Sequence, residues 1–367
     1  MVDSVRASIR AAWAALLGGD VGPGAVPAEW AGRLAALLTP AMADHLLSGW
    51  TLLDGAPMVP AAAARQSRLL NRLARTGGLG WARRAAEAGL PVVCLKGMGA
   101  AYTLYDDADC RGMSDCDLLV GAAERDRLLA LLRAGGLDFV PPRARSRWGF
   151  VHDSSFLPLA SADGVSQIDL HQQADAWPVH RALPAQAVFA AARPAATPAG
   201  TILVPAPTHA LLLCATHAAR DLFGPPAVTK LIDASRLLAR FGQTIDAAEL
   251  VRLAAAGGVA RPVAAFFALL ADLGLPAALL PASLAARPDA LPAWCRGEYR
   301  RARAQLALLY PHPLSTLASI RREALLTAQP STVLARYRLR LHGLLRPQTG
   351  RPVAPTARTA LTPRKEL

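Results

Sequence analysis

Between Gly89 and Gly121 the sequence stops reading as helix, and that change limits the folds open to the chain. Upstream, AAAARQSRLLNRLARTGGLGWARRAAEAG (61–89) is helical, with Gly77-Gly78 as the one place it could break. LPVVCL (90–95) is then a compact β-branched run bounded by Gly89 and Lys96-Gly97, the pattern of a buried strand. MGAAYTLY (98–105) suits a short helix, DDADCRGMS (106–114) a polar loop and DCDLLV (115–120) a second strand. A helix over 124–134 follows, ended by Gly135-Gly136. FVHDSSFLPLA (150–160) and VSQIDLHQQ (165–173) read as strands joined by the turn SADG (161–164), because Asp-Gly between apolar runs is a hairpin signal.

Beyond Pro205 the pattern is helical over 207–222, 226–241, 247–257, 262–273, 296–310 and 330–345. These elements predict an α+β, mostly helical fold built around a small mixed β-sheet. The expected division is an N-terminal helical region (1–60), an α/β core (61–205), a helical domain (206–345) and a disordered basic tail (346–367).

Composition narrows the class. At 367 residues, 53% hydrophobic and 18% charged, the chain is globular and large enough for two domains or one big one. Its most apolar stretch, from residue 262, is interrupted by Asp272, Pro276 and Pro281, so it reads as core helices rather than a membrane span. Asp3 and the lack of a clear cleavage site make the N-terminus an amphipathic helix rather than a signal peptide. Five cysteines without a CxxC pair read as free buried thiols, which places the protein in a reducing cytoplasm.

The net charge of +13 invites a nucleic-acid partner, but its distribution argues against one. Only 3 of the 40 basic residues are Lys, an Arg bias that a GC-rich genome produces without selection for binding. Residues 320–367 hold ten basic and two acidic residues, so +8 of the charge is terminal and +5 is left for the rest. Aromatics, at 5%, give few stacking platforms. The tail is the one segment that could meet RNA, anionic lipid or an acidic partner, and a solvated tail is the simpler reading.

Chemistry concentrates in two strands. Residues two apart on a strand share a face, so Asp115 and Asp117 point together, as do Asp169 and His171. If these strands are neighbours, three carboxylates converge and cannot all stay ionised unaided. A divalent cation is the usual remedy. Oxygen ligands suit Mg²⁺ or Mn²⁺, whose shells substrate phosphates commonly complete. The turn KGMGA (96–100) adds an anion-cradling strand-to-helix junction, with Lys96 and Gly97 at its start and Arg111 available for bidentate phosphate contact.

These residues carry a resemblance. VVCLKGMGAAYTLYDDADCRGMSDCDLLVG followed by IDLHQQ resembles an uncharacterised nucleotidyltransferase family with a KG turn, a downstream Arg, a DxD strand and a later acidic-Leu-His strand. That family is similar to the wider superfamily built on the polymerase-β-like sheet, and the likeness runs well over about residues 60–240. It implies that Asp115 and Asp117 bind metal. It also implies that Asp169 is the third carboxylate, as ligand or general base, and that Lys96-Gly97 replaces the superfamily's Gly-Ser or Gly-Gly turn. Met98 departs from that pattern, where a phosphate-touching Ser is common. The implied reaction moves an NMP from an NTP to a hydroxyl with release of pyrophosphate. Relatives often accompany biosynthetic genes, which implies a small-molecule or peptide acceptor, a protein side chain being a further option.

Each signal also has a plainer reading. The aspartates could be solvated at a strand entrance, Lys96 could pair with one of them, and Arg111 could pair with Asp106, Asp107 or Asp109. His171 reads as support for Asp169 rather than as a ligand. His209 and His217 lack a carboxylate or Cys partner in sequence and read as packed, as do Trp148 and Trp177; Asp221 and Asp233 call for the same reserve. The alternatives to a nucleotidyltransferase are a non-catalytic nucleotide- or partner-binding module and a kinase-like phosphotransferase on the same fold.

Overall fold

The computed structural model of the chain describes residues 2–140, 156–175, 179–285, 291–310 and 314–327, with the pairs 333–334 and 337–338. The chain begins with helix α1 (Val2–Leu16), the two-residue strand β1 (Ala25–Val26), helices α2 (Ala28–Leu37) and α3 (Pro40–Leu46), and β2 (Thr51–Leu52), which pairs with β1. Helix α4 (Ala61–Glu87) leads into β3 (Val92–Cys94), α5 (Lys96–Leu104), β4 (Cys116–Val120), α6 (Arg125–Ala134), β5 (Leu137–Phe139), β6 (Phe156–Ser161) and β7 (Gln167–His171). A short helix, α7 (Ala185–Ala190), precedes the hairpin β8 (Arg193–Thr197) and β9 (Gly200–Val204). The rest is helical: α8 (Pro207–Arg220), α9 (Val228–Phe241), α10 (Ala247–Ala256), α11 (Ala260–Leu273), α12 (Ala293–Ala307) and α13 (Thr316–Arg322).

The expected α+β, mostly helical class is what the chain adopts. Its main sheet has seven strands in the order β5-β6-β7-β4-β3-β9-β8 and is mixed: β7–β4 and β3–β9 are parallel, the other pairs antiparallel. One face, carrying Cys116, Leu118, Val120, Ile168 and Leu170, packs on Leu79 and Trp81 of α4 and on Leu128 and Leu132 of α6. The opposite face, through Val93 and Leu119, joins a larger core. That core gathers Trp13 of α1, Trp30 of α2, Phe266 and Phe267 of α11 and Tyr299 of α12. The first two helices meet α12 at one carbonyl: the Trp13 and Trp30 indoles both donate to Ala307 O, at 2.9 and 3.2 Å. A buried charge in this layer is matched as well, since Arg322 Nε lies 2.8 Å from Glu298 Oε1.

Two differences from the sequence reading have physical causes. Helix α4 runs through Gly77-Gly78 unbroken. A Cβ at Gly78 would lie 2.6 Å from Met98 Cε and 2.8 Å from Cys116 Cβ, so the missing side chain lets the helix approach the sheet. Strand β5 is only Leu-Asp-Phe and β8 is Arg-Pro-Ala-Ala-Thr, neither with a β-branched run, so both went unread; β9, Gly-Thr-Ile-Leu-Val, does carry such a run and was passed over for want of a recognisable partner. The predicted strand from 150, the helix over 330–345, the tail, Trp148 and Trp177 fall wholly or mostly outside the described residues. No described helix is long and apolar enough to cross a membrane.

The contact at Gly78 yields a paired expectation. Gly78→Val should cost about 1–3 kcal/mol by overpacking, whereas Gly80→Ala, with open space around its Cβ, should stabilise by up to about 1 kcal/mol. Urea melts of the two variants read both effects.

Candidate active site

The parallel register of β4 and β7 sets Asp117 directly opposite Asp169, and Leu119 opposite His171. Facing residues of a parallel pair project from the same side of the sheet, so two carboxylates stand side by side. His171 lies between them, its Nε2 2.8 Å from Asp117 Oδ1 and 3.3 Å from Asp169 Oδ2. One ligand atom from each of Asp117, Asp169 and His171 falls within 4.8 Å of the others, and this is the one such group among the described residues. Asp169 Oδ1 is buried without a hydrogen-bond partner among the described residues.

Lys96 donates to Asp117 Oδ1 from the strand-to-helix turn. It adopts a left-handed backbone with φ +48°, an uncommon conformation for a residue with a Cβ and one that gathers at functional sites. Three residues on, a Cβ at Gly99 would sit 2.8 Å from Cys94 O, so glycine there lets α5 begin directly at the end of β3.

Charge in this cluster is balanced internally. Burial alone would raise the Asp117 carboxyl. The Lys96 charge and the hydrogen bonds from His171 and Lys96 outweigh it and hold the group well below the usual carboxylate range. Burial would lower His171, but the hydrogen bonds to Asp117 and Asp169 prevail and raise its proton affinity. Asp115, one residue before β4, is pushed up by burial and then by the nearby Asp117 charge. It accepts a 3.0 Å bond from Ser114 and lies outside the 4.8 Å group.

The structure therefore sets Asp117 opposite Asp169, as expected, and pairs Lys96 with Asp117, its plainer reading; it leaves Asp115 outside the group and places His171 against Asp169, the support expected of it, and against Asp117 as well. Arg111 has a defined partner that the sequence did not suggest. Its Nε and Nη2 lie 3.1 and 2.7 Å from the two oxygens of Asp233 on α9, and Tyr105 donates to the same carboxylate at 2.6 Å. The acidic loop before it is fastened to α4 instead: Arg68 binds Asp107 at 3.0 Å, and Arg72 and Arg75 both bind Asp109.

A cavity of about 960 Å³ opens beside this cluster. Lys96, Gly97, Arg111, Asp115 and Asp117 line it, together with residues of α2, α8 and α9. Sequence reasoning read His217 as packed and missed its partner; His217 lines the cavity, with Asp175 behind it. Both are buried, with His217 Nε2 3.2 Å from Asp175 Oδ1, Thr216 donating to Oδ2 and Arg220 3.6 Å from Oδ1. Asp175 follows His171 by four residues in HQQAD, but nothing local ties it to a helix that begins at Pro207.

A lysine-bearing turn, a DxD strand and an opposing carboxylate on a parallel neighbour thus stand together. Residues 59–274 match the uncharacterised nucleotidyltransferase family, more than half of the chain, and the chain belongs to that family. It matches none of the curated proteins and none of the solved structures compared.

Burial, reinforced by Arg220 and opposed by Asp175, lowers His217 to about 4. The unfolded imidazole, near 6.5, takes up protons first on acidification, so stability is complete above pH 6.5 and falls as pH drops toward 4. The loss should be on the order of 3 kcal/mol. Thermal melts across pH 4–8 should show a decline in that window that is shallower in His217→Asn; equal slopes would contradict the assignment.

Proposed function

We propose that the chain transfers a nucleoside monophosphate from an NTP to a hydroxyl of an acceptor, releasing pyrophosphate. The observation that carries this reading is the opposition of Asp117 and Asp169 beside the Lys96 turn, with Lys96 and Asp117 lining a cavity large enough for two substrates. At about 960 Å³ it lies at the upper end of the ~300–1,000 Å³ of small-molecule sites.

The donor set fits a hard divalent cation such as Mg²⁺ or Mn²⁺. It offers two carboxylates and an imidazole within 4.8 Å, and Asp169 Oδ1 is a buried acceptor awaiting a partner. Asp117 and Asp169 would hold the ion, with His171 and Asp115 beside them. When bound, such an ion neutralises charge on the entering and leaving phosphate oxygens.

The remaining residues bind and orient. Lys96 and the first amides of α5, around Gly97, face an anion at the strand-to-helix turn. Arg111 does not take the phosphate contact expected of it: its Nε and Nη2 pair with Asp233 and its Nη1 donates to Gly112 O, so it fixes the loop against α9 and its charge is already matched. Asp169 serves as the third carboxylate, as ligand or as base. The acceptor is read as a small-molecule or peptide hydroxyl, and the five free cysteines fit a reducing compartment.

The test is α-³²P-labelled NTP, each base in turn with Mg²⁺ or Mn²⁺, presented with candidate acceptors and followed by mass spectrometry. Transfer of a whole nucleotide with pyrophosphate release is expected, reduced at least about a hundredfold in Asp117→Asn with the circular dichroism spectrum unchanged. Addition of a single phosphate would make the chain a kinase, and binding without turnover would make it a module.

A further inference from the structure

We propose that His217, held from behind by Asp175, receives the acceptor hydroxyl and takes its proton. This deepens the nucleotidyl-transfer reading and rests on it. Three features of the chain support it. First, His217 is buried yet lines the same cavity as Asp115, Asp117 and Lys96, and Lys96 is close enough for its charge to lower the imidazole's proton affinity. Second, the ring has a buried acid close beside it. Asp175 stands 3.2 Å from Nε2, which leaves Nδ1 as the ring's remaining polar atom. Third, Asp175 is 1% exposed, and a buried carboxylate costs several kcal/mol unless it is paired. An apolar residue would pack there at no such cost, yet the chain keeps an acid and surrounds it with Thr216, Arg220 and His217.

Of the two roles open to it, Asp169 here takes the ligand's and leaves the base to His217. Asp117 is taken by Lys96 and His171, and Asp169 is in contact with His171. Carboxylates that hold a cation are poor proton acceptors. A neutral imidazole on the cavity wall is free to act, and a carboxylate behind it stabilises the imidazolium that forms. In the proposed step the acceptor O–H proton passes to Nδ1 and the acceptor oxygen bonds the α-phosphorus. The bond from that phosphorus to the bridging oxygen breaks, its electron pair leaves with pyrophosphate, and the imidazolium returns its proton to solvent. His209, eight residues earlier on α8, does not line the cavity and has no such role.

Two measurements on the full chain test this. Long-range ¹H–¹⁵N spectra of the imidazoles at pH 7, with His217 assigned by comparison with His217→Gln and Asp175→Asn, should show the neutral Nε2–H tautomer. The Nδ1–H tautomer or a cationic ring overturns the proposal whatever the variants do. Label release from α-³²P NTP, with water and glycerol as probe hydroxyls, should fall at least tenfold in His217→Gln while calorimetric affinity for the Mg-NTP stays within twofold. Turnover equal to wild type in His217→Gln, with Asp117→Asn inactive, overturns the role of His217 and leaves nucleotidyl transfer standing. Unchanged turnover in Asp117→Asn would remove nucleotidyl transfer at this site, and this inference with it.

Discussion

Two like charges facing each other across adjacent strands are unfavourable, and this chain builds that situation at the centre of its sheet. Asp117 is 3% exposed, so water does little to screen it from Asp169. Compensation comes from both sides. Lys96 accepts a strained backbone and delivers its ammonium to Asp117, and His171 bridges the two acids. A fold that only needed to pack would place apolar residues at these positions, as the opposite face of the same strands does with Leu118, Ile168 and Leu170.

The helices around the sheet are arranged to keep that cluster rigid on one side and accessible on the other. Helix α4 closes the apolar face, its approach permitted by Gly78. Arg68, Arg72 and Arg75 on its outer turns hold the acidic loop that leads to Arg111. Helix α9 ties to that loop through Asp233, which accepts from both Arg111 and Tyr105. The cavity lies between these ties. Its walls come from α2, α5, α8 and α9, so elements distant in sequence set its shape. The bonds from Trp13 and Trp30 to Ala307 fix the first helices against the last ones and hold α2 in place at the rim.

What the sequence disclosed follows from where the signals are local. LPVVCL and DCDLLV interrupt a helical pattern with compact apolar runs, and the period of two placed Asp117 and Asp169 on matching faces once the strands were neighbours. Contacts between residues far apart in the chain left no such mark. Asp233 as the partner of Arg111 and Asp175 as the partner of His217 depend on helix packing, which no spacing rule encodes. Nor did period two distinguish a supporting histidine from one in contact with both acids, because His171 shares its face with Asp169 in either case. The β8–β9 hairpin went unread although Thr201-Ile202-Leu203-Val204 is a strand-like run, because its partner Arg-Pro-Ala-Ala-Thr lacks β-branched side chains along most of its length.

The central claim is that Asp117 and Asp169 share a cation beside the Lys96 turn. Anomalous diffraction from crystals grown with Mn²⁺ and a non-hydrolysable NTP analogue tests it most directly. The account predicts a manganese peak in contact with both carboxylates and the analogue's phosphates against residues 96–99. A peak elsewhere, or an analogue bound with no manganese at these acids, would contradict it.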